Sequence, residues 1–156
     1  MKIGGHGLGE HLRLLAPLFW LIAGVWALRL VLAAAGAPFP LVRACSVSVT
    51  GAVAILLAVI LIHIRRFGGY VNVAVAAFLL ECCLQLLIVA AIAFAALTGI
   101  QNIYTAPEFS FRLSSLTHHM VGHLTFGIGV GTLMGTAMGS LLLWLLRRLV
   151  PVKSAQ

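Results

Sequence analysis

Four long apolar stretches separated by short polar ones set the pattern of this chain, at residues 12–35, 41–64, 70–97 and 119–150. Each exceeds the roughly 20 residues that a helix needs to cross the hydrocarbon core of a bilayer. The third and fourth are longer than one crossing requires, so they must tilt or protrude. Connections 36–40 and 65–69 are short enough to force antiparallel neighbours, whereas 98–118 has room for structure of its own. The pattern predicts an all-α integral membrane fold: one domain, a four-transmembrane-helix bundle with antiparallel neighbours. The first stretch carries the small residues Ala33, Ala34, Ala35 and Ala37, as a cleavable leader would. It is nevertheless too long for a leader's apolar region, contains Arg29 and is followed by Pro38, and it reads as a retained span.

Composition sharpens this picture. The 156 residues are 62% hydrophobic and only 8% charged, too few charges to clothe a water-facing surface. Soluble, disordered and disulfide-framework classes are excluded. Cys45, Cys82 and Cys83 lie in or beside apolar stretches and read as packing residues. The net charge of +7 comes from basic residues placed singly or in pairs at the ends of the spans, a pattern of membrane orientation rather than nucleic-acid binding. Lys2, Arg13, Arg65, Arg66, Arg147, Arg148 and Lys153 share one side, while Arg43 and Arg112 fall on the other. This asymmetry predicts both termini in the cytoplasm, with residues 98–118 outside, and a bacterial inner membrane is the expected location. The outer loop sets Tyr104, Phe109 and Phe111 around Pro107 and Glu108, as in an interfacial aromatic belt. The glycine-rich start, Gly4, Gly5, Gly7 and Gly9 around His6, reads as a mobile tail.

Three constellations carry candidate chemistry. Gly127, Gly131, Gly135 and Gly139 recur every fourth residue, the glycine-zipper pattern of a ridge that lets another backbone approach. Its expected partner within the chain is the second span, where Ala44, Ser48 and Ala52 also step by four. The alternative is a seam to another subunit or a second copy. His119 and His123 also stand four apart and lead onto this ridge. They are either interfacial histidines bonded to loop carbonyls and headgroups or two ligands of a metal or haem, with Glu108 or His118 as a third ligand. At the opposite face His11 and His63 form a second haem candidate, with Arg13, Arg65 and Arg66 near enough for propionates. Finally, Glu81 and Gln85 occupy one face of the third span near mid-membrane, and Arg29 lies deep in the first. A charge at a helix centre costs about 2.5–3.5 kcal/mol on insertion scales, so it must be paired, neutralised or used. The readings are an Arg29–Glu81 ion pair satisfied by Gln85, a protonatable Glu81 in a conduction path, and an Arg29 that snorkels outward.

No nucleophile or helical metalloprotease motif is visible, and no catalytic residue is assigned. The leading expectation is a non-enzymatic subunit or scaffold of a membrane assembly, its partners being the bilayer and other membrane subunits or further copies of itself. The alternatives are a metal- or haem-binding electron-transfer component and a small transporter or proton-conducting protein centred on Glu81.

Overall fold

The computed structural model describes residues 2–106 and 115–149. Pro107, Glu108, Phe109, Phe111, Arg112 and Lys153, named above, lie outside them. The described chain opens on a two-stranded antiparallel hairpin, β1 (Lys2–Ile3) and β2 (His6–Gly7), followed by α1 (Leu8–Ala34), α2 (Phe39–Ala44), α3 (Val47–Ile64) and α4 (Tyr70–Thr98). The last span begins as α5 (Leu116–Gly122), passes through one π-helical turn (His123–Gly127) and continues as α6 (Ile128–Leu149). Four helical segments are long and apolar enough to cross a membrane, which makes this an all-α, multi-pass membrane protein.

The span boundaries reflect local chemistry. The α1 helix starts four residues earlier than hydropathy alone places it, because the Glu10 carboxylate accepts the Gly7 amide at 2.6 Å and satisfies an orphan donor of the first turn. The second span is broken: Pro38 and Pro40 set up the short α2, and Ser46 then caps α3, its Oγ accepting from the Val49 amide. At the other end of α4, Gly99 takes the left-handed conformation and closes the helix on the Ala95 carbonyl. All four spans share one core, in which Leu15, Ile22, Val59, Ile62, Val73, Leu80 and Leu143 are almost entirely enclosed. The fourth span is the least covered by the rest of the chain.

The glycine-rich start is not a tail. Gly4 and Gly5 both adopt positive φ, which glycine tolerates without strain, and turn β1 back onto β2. The hairpin is then locked to the beginning of α4 by Asn72, whose Nδ2 donates to the Gly4 carbonyl at 3.1 Å and whose Oδ1 accepts from His11 at 2.9 Å. His6 stacks on Phe67 with ring centroids 3.8 Å apart. Arg147, near the end of α6, donates to the Gly68 carbonyl at 2.9 Å. One end of the bundle is thus closed by a polar clasp of Gly4, His11, Gly68, Asn72 and Arg147.

Asn72→Ala removes both side-chain bonds of this clasp at a site with almost no solvent access. We expect a loss of about 1–3 kcal/mol, seen as a lower thermal midpoint in detergent. Faster amide exchange confined to residues 2–7 would locate the damage at the hairpin.

Candidate functional site

The site grows from the contact between α4 and the fourth span. Along α4, Val73, Ala77, Glu81 and Gln85 step by four, and so do the glycines of the fourth span. A Cβ added to Gly139 would lie 2.7 Å from Val73, at Gly135 3.3 Å from Ala77, at Gly131 2.5 Å from the Glu81 carboxyl, and at Gly127 2.7 Å from Gln85. The two rows run antiparallel, each glycine receiving one α4 side chain, as expected when ridges of i, i+4 residues interlock. The ridge therefore packs mainly on the third span. From the second span, Ile55 and Val59 are the residues nearest the ridge, at Gly135 and Gly139, rather than the expected Ala44, Ser48 and Ala52 row.

This seam has two chemically distinct halves. At Gly135 and Gly139 the opposing groups are aliphatic: Ile55, Val59, Val73 and Ala77. At Gly127 and Gly131 they are the amide of Gln85 and the carboxylate of Glu81, which flank the midpoint of α4. Gln85 Nε2 donates to Glu81 Oε2 at 3.3 Å, so its Oε1 is left as an acceptor. His123 Nδ1 occupies that position at 2.7 Å and must carry the hydrogen. The other ring nitrogen of a neutral His123 is then an acceptor, and His119 Nε2–H donates to it across 3.1 Å. The chain ends on His119 Nδ1, which is buried and has no hydrogen-bond partner among the described residues. With His123 neutral and in this tautomer, the donors of the series point the same way, from His119 through His123 and Gln85 to Glu81.

The π-helical turn at His123–Gly127 lies between the two histidines and the rest of the glycine ridge. Such a turn inserts an extra residue, so the helix before it is rotated relative to the helix beyond it, and it recurs at functional sites. Thr125 Oγ1 donates to the Val121 carbonyl at 2.7 Å within this region.

The structure corrects four expectations. His119 and His123 bond to each other and to Gln85 rather than to loop carbonyls, joining Glu81 in one series in which His123 is half-buried and the other three are buried. Arg29 and Glu81 have different neighbours, the Arg29 guanidinium lying 5.1 Å over the Tyr104 ring while Glu81 is bonded to Gln85. Tyr104 is accordingly buried rather than part of an exposed belt, held by a turn in which Asn102 Nδ2 donates to the Ala91 carbonyl at 2.7 Å. As for haem at the clasp end, His11 has Asn72 at one ring nitrogen and the Gly7 carbonyl 3.0 Å from the other, which leaves no free nitrogen to face His63 as a second axial ligand. Among the described residues no three His, Cys, Asp or Glu side chains gather as a metal-binding group.

Sequence reasoning paired Glu81 with Gln85 and His119 with His123 without joining the two pairs, and it missed Asn72 altogether. The stepping of 73, 77, 81 and 85 against 139, 135, 131 and 127 is the signal that connects them. Compared with known proteins, the chain matches no family model, and it resembles no curated protein or solved structure significantly.

Substitutions in the two halves of the seam should differ in effect. Gly139→Ala forces apart aliphatic groups that cannot yield and is expected to cost about 1–3 kcal/mol in detergent unfolding. Gly131→Ala meets only the movable end of Glu81, so its effect falls on the polar series, read as a change in the histidine ring resonances with the unfolding midpoint nearly kept. Separately, burial pushes the Tyr104 hydroxyl up to about 12 from 10.0, with Arg29 beside it pulling the other way. The unfolded chain ionises first, so the stabilisation is complete below pH 10.0 and is lost as pH rises toward 12. Tyr104→Phe should remove a tyrosinate absorbance step near pH 12 and flatten that loss.

Proposed function

We propose that this protein is a small proton-conducting or proton-coupled membrane protein, with Glu81 as the intramembrane proton site and His119 and His123 as its entry. The observation that carries this reading is the hydrogen-bonded series His119–His123–Gln85–Glu81 that joins the fourth span to α4. Its outer end is an acceptor nitrogen with no partner among the described residues, the position at which a proton would be taken up. A proton arriving there would release the Nε2 hydrogen of His119 to His123 Nε2. His123, now cationic, would face an ionised Glu81 through the polarised amide of Gln85, with the excess proton held on the His123 ring. Gln85 holds the ends in line. Transfer to Glu81 itself requires the Gln85 amide to rotate out of line, after which the Nδ1 proton of His123 passes to the carboxylate and leaves His123 neutral.

Polar groups inside a membrane are costly and usually mark a substrate or proton path, which supports this reading over purely structural packing. Beyond Glu81 toward the clasp, the core is aliphatic, so the polar series is half of a path. On this proposal the chain resides in a bacterial inner membrane with both termini in the cytoplasm, as its basic residues suggest, and the histidines open toward the outside. A second reading, a non-enzymatic subunit of a larger assembly, draws on the sparse covering of the fourth span. The glycine zipper does not add to it, because its glycines are already filled by α4 and α3 side chains.

The test is infrared difference spectroscopy on the protein in lipid nanodiscs. The sequence has only three side-chain carboxyl groups, Glu10, Glu81 and Glu108. A carboxyl C=O band that changes with pH, vanishes in Glu81→Gln and shifts in His123→Ala is the expected result. A Glu81 band indifferent to pH would defeat the proposal and favour the subunit reading.

A further inference from the structure

Glu81 also lines a second environment. Between α3 and α6 lies a cavity of about 110 Å³, walled by Ala52, Ile55 and Leu56 on one side and by Gly131, Met134 and Met138 on the other, with the Glu81 carboxylate as its polar group. Gln85 bonds to Oε2, and the walls offer no side-chain hydrogen-bond donor. Met134 and Met138 are 58% and 47% exposed on the outside of the bundle, and Ala52 is exposed beside them, so the cavity is approached from the lipid-facing side.

The chemistry of these walls selects a ligand class. An anion would meet the carboxylate, and a neutral apolar molecule would leave that charge buried and uncompensated. A hard inorganic cation asks for six or more oxygen ligands, and this cavity supplies one carboxylate. A better fit is a cation whose charge is spread over apolar substituents, because it sheds water at low cost and packs against aliphatic and thioether groups. The space admits a head the size of roughly three or four water molecules, far below the roughly 300 Å³ of a drug-sized pocket. A larger body would therefore remain among the lipid-facing methionines.

We propose that Glu81 and this lateral cavity bind the head of an apolar organic cation, such as a trimethylammonium group, in exchange for a proton. The exchange rests on the proton reading above and names its counter-substrate. One positive charge enters and one proton leaves Glu81 for the aqueous phase, so the charge of the site is conserved. The titratable groups around Glu81 are Cys82 and Cys83 on its own helix and, through Gln85, His123 and His119 on the fourth span. The α3 and α6 residues of the cavity contribute none.

The probe is benzyltrimethylammonium, titrated calorimetrically into the protein in nanodiscs, with empty nanodiscs as the blank for partitioning. We expect saturable binding at one site per chain, proton release on binding, and weaker binding as pH falls. Glu81→Gln, which keeps shape and hydrogen bonding, should weaken it at least tenfold. Ala52→Phe, at an exposed position on the cavity mouth, should do the same while leaving the pH-dependent Glu81 infrared band intact. Absence of saturable binding by the parent protein, or binding that survives both substitutions, overturns the inference. The infrared band on the same sample shows whether the proton reading falls with it or stands alone.

Discussion

The architecture depends on one close approach: the backbone of the fourth span lies flush against a row of α4 side chains spaced four residues apart. Glycine at 127, 131, 135 and 139 makes the approach possible, and each of the four receives a particular group. Within a membrane such contact cannot draw on the hydrophobic effect, because lipid tails are as apolar as leucine. Van der Waals fit and internal hydrogen bonds must hold the helices, the first along this seam and the second both here, at His123–Gln85, and at the clasp. Displacing it by one residue would turn Glu81 and Gln85 away from the glycines and toward side chains that cannot accommodate them.

The same seam explains how a carboxylate, an amide and two imidazoles are tolerated far from water. Each bonds to the next, down to a His119 Nδ1 with no partner among the described residues, and the glycine backbone leaves Glu81 and Gln85 their space. Arg29 is handled separately, over the face of Tyr104, in a turn that Asn102 fastens to the Ala91 carbonyl. The bundle thus keeps its intramembrane cation and its intramembrane carboxylate apart instead of neutralising one with the other. An ion pair between the two would instead tie the carboxylate to α1.

The four spans could be read directly from the chain because membrane crossing is encoded in the length of an apolar run, a local property. Their ends moved only where a specific cap intervened, as with Glu10 on the Gly7 amide and Ser46 at the head of α3. The site was harder to see because it depends on register between helices. Glu81, Gln85, His119 and His123 each stand out as polar residues in apolar surroundings, yet nothing on a single helix says that Gly127 faces Gln85. Assigning the glycines to the second span separates the histidines from the carboxylate. The hairpin was hidden for a related reason: its order comes from Asn72, sixty-eight residues after its partner Gly4, and a glycine-rich segment viewed alone has no cause to settle.

The division of the glycine seam into an aliphatic half and a polar half also has a mechanical meaning. Where Gly135 and Gly139 meet Ile55, Val59, Val73 and Ala77, separation exposes voids that no neighbouring atom can fill at once. Where Gly127 and Gly131 meet Gln85 and Glu81, flexible side chains can track a departing backbone and keep contact. The two helices are accordingly riveted at one end and sprung at the other, so thermal agitation will splay them preferentially around the carboxylate, with the riveted end as fulcrum.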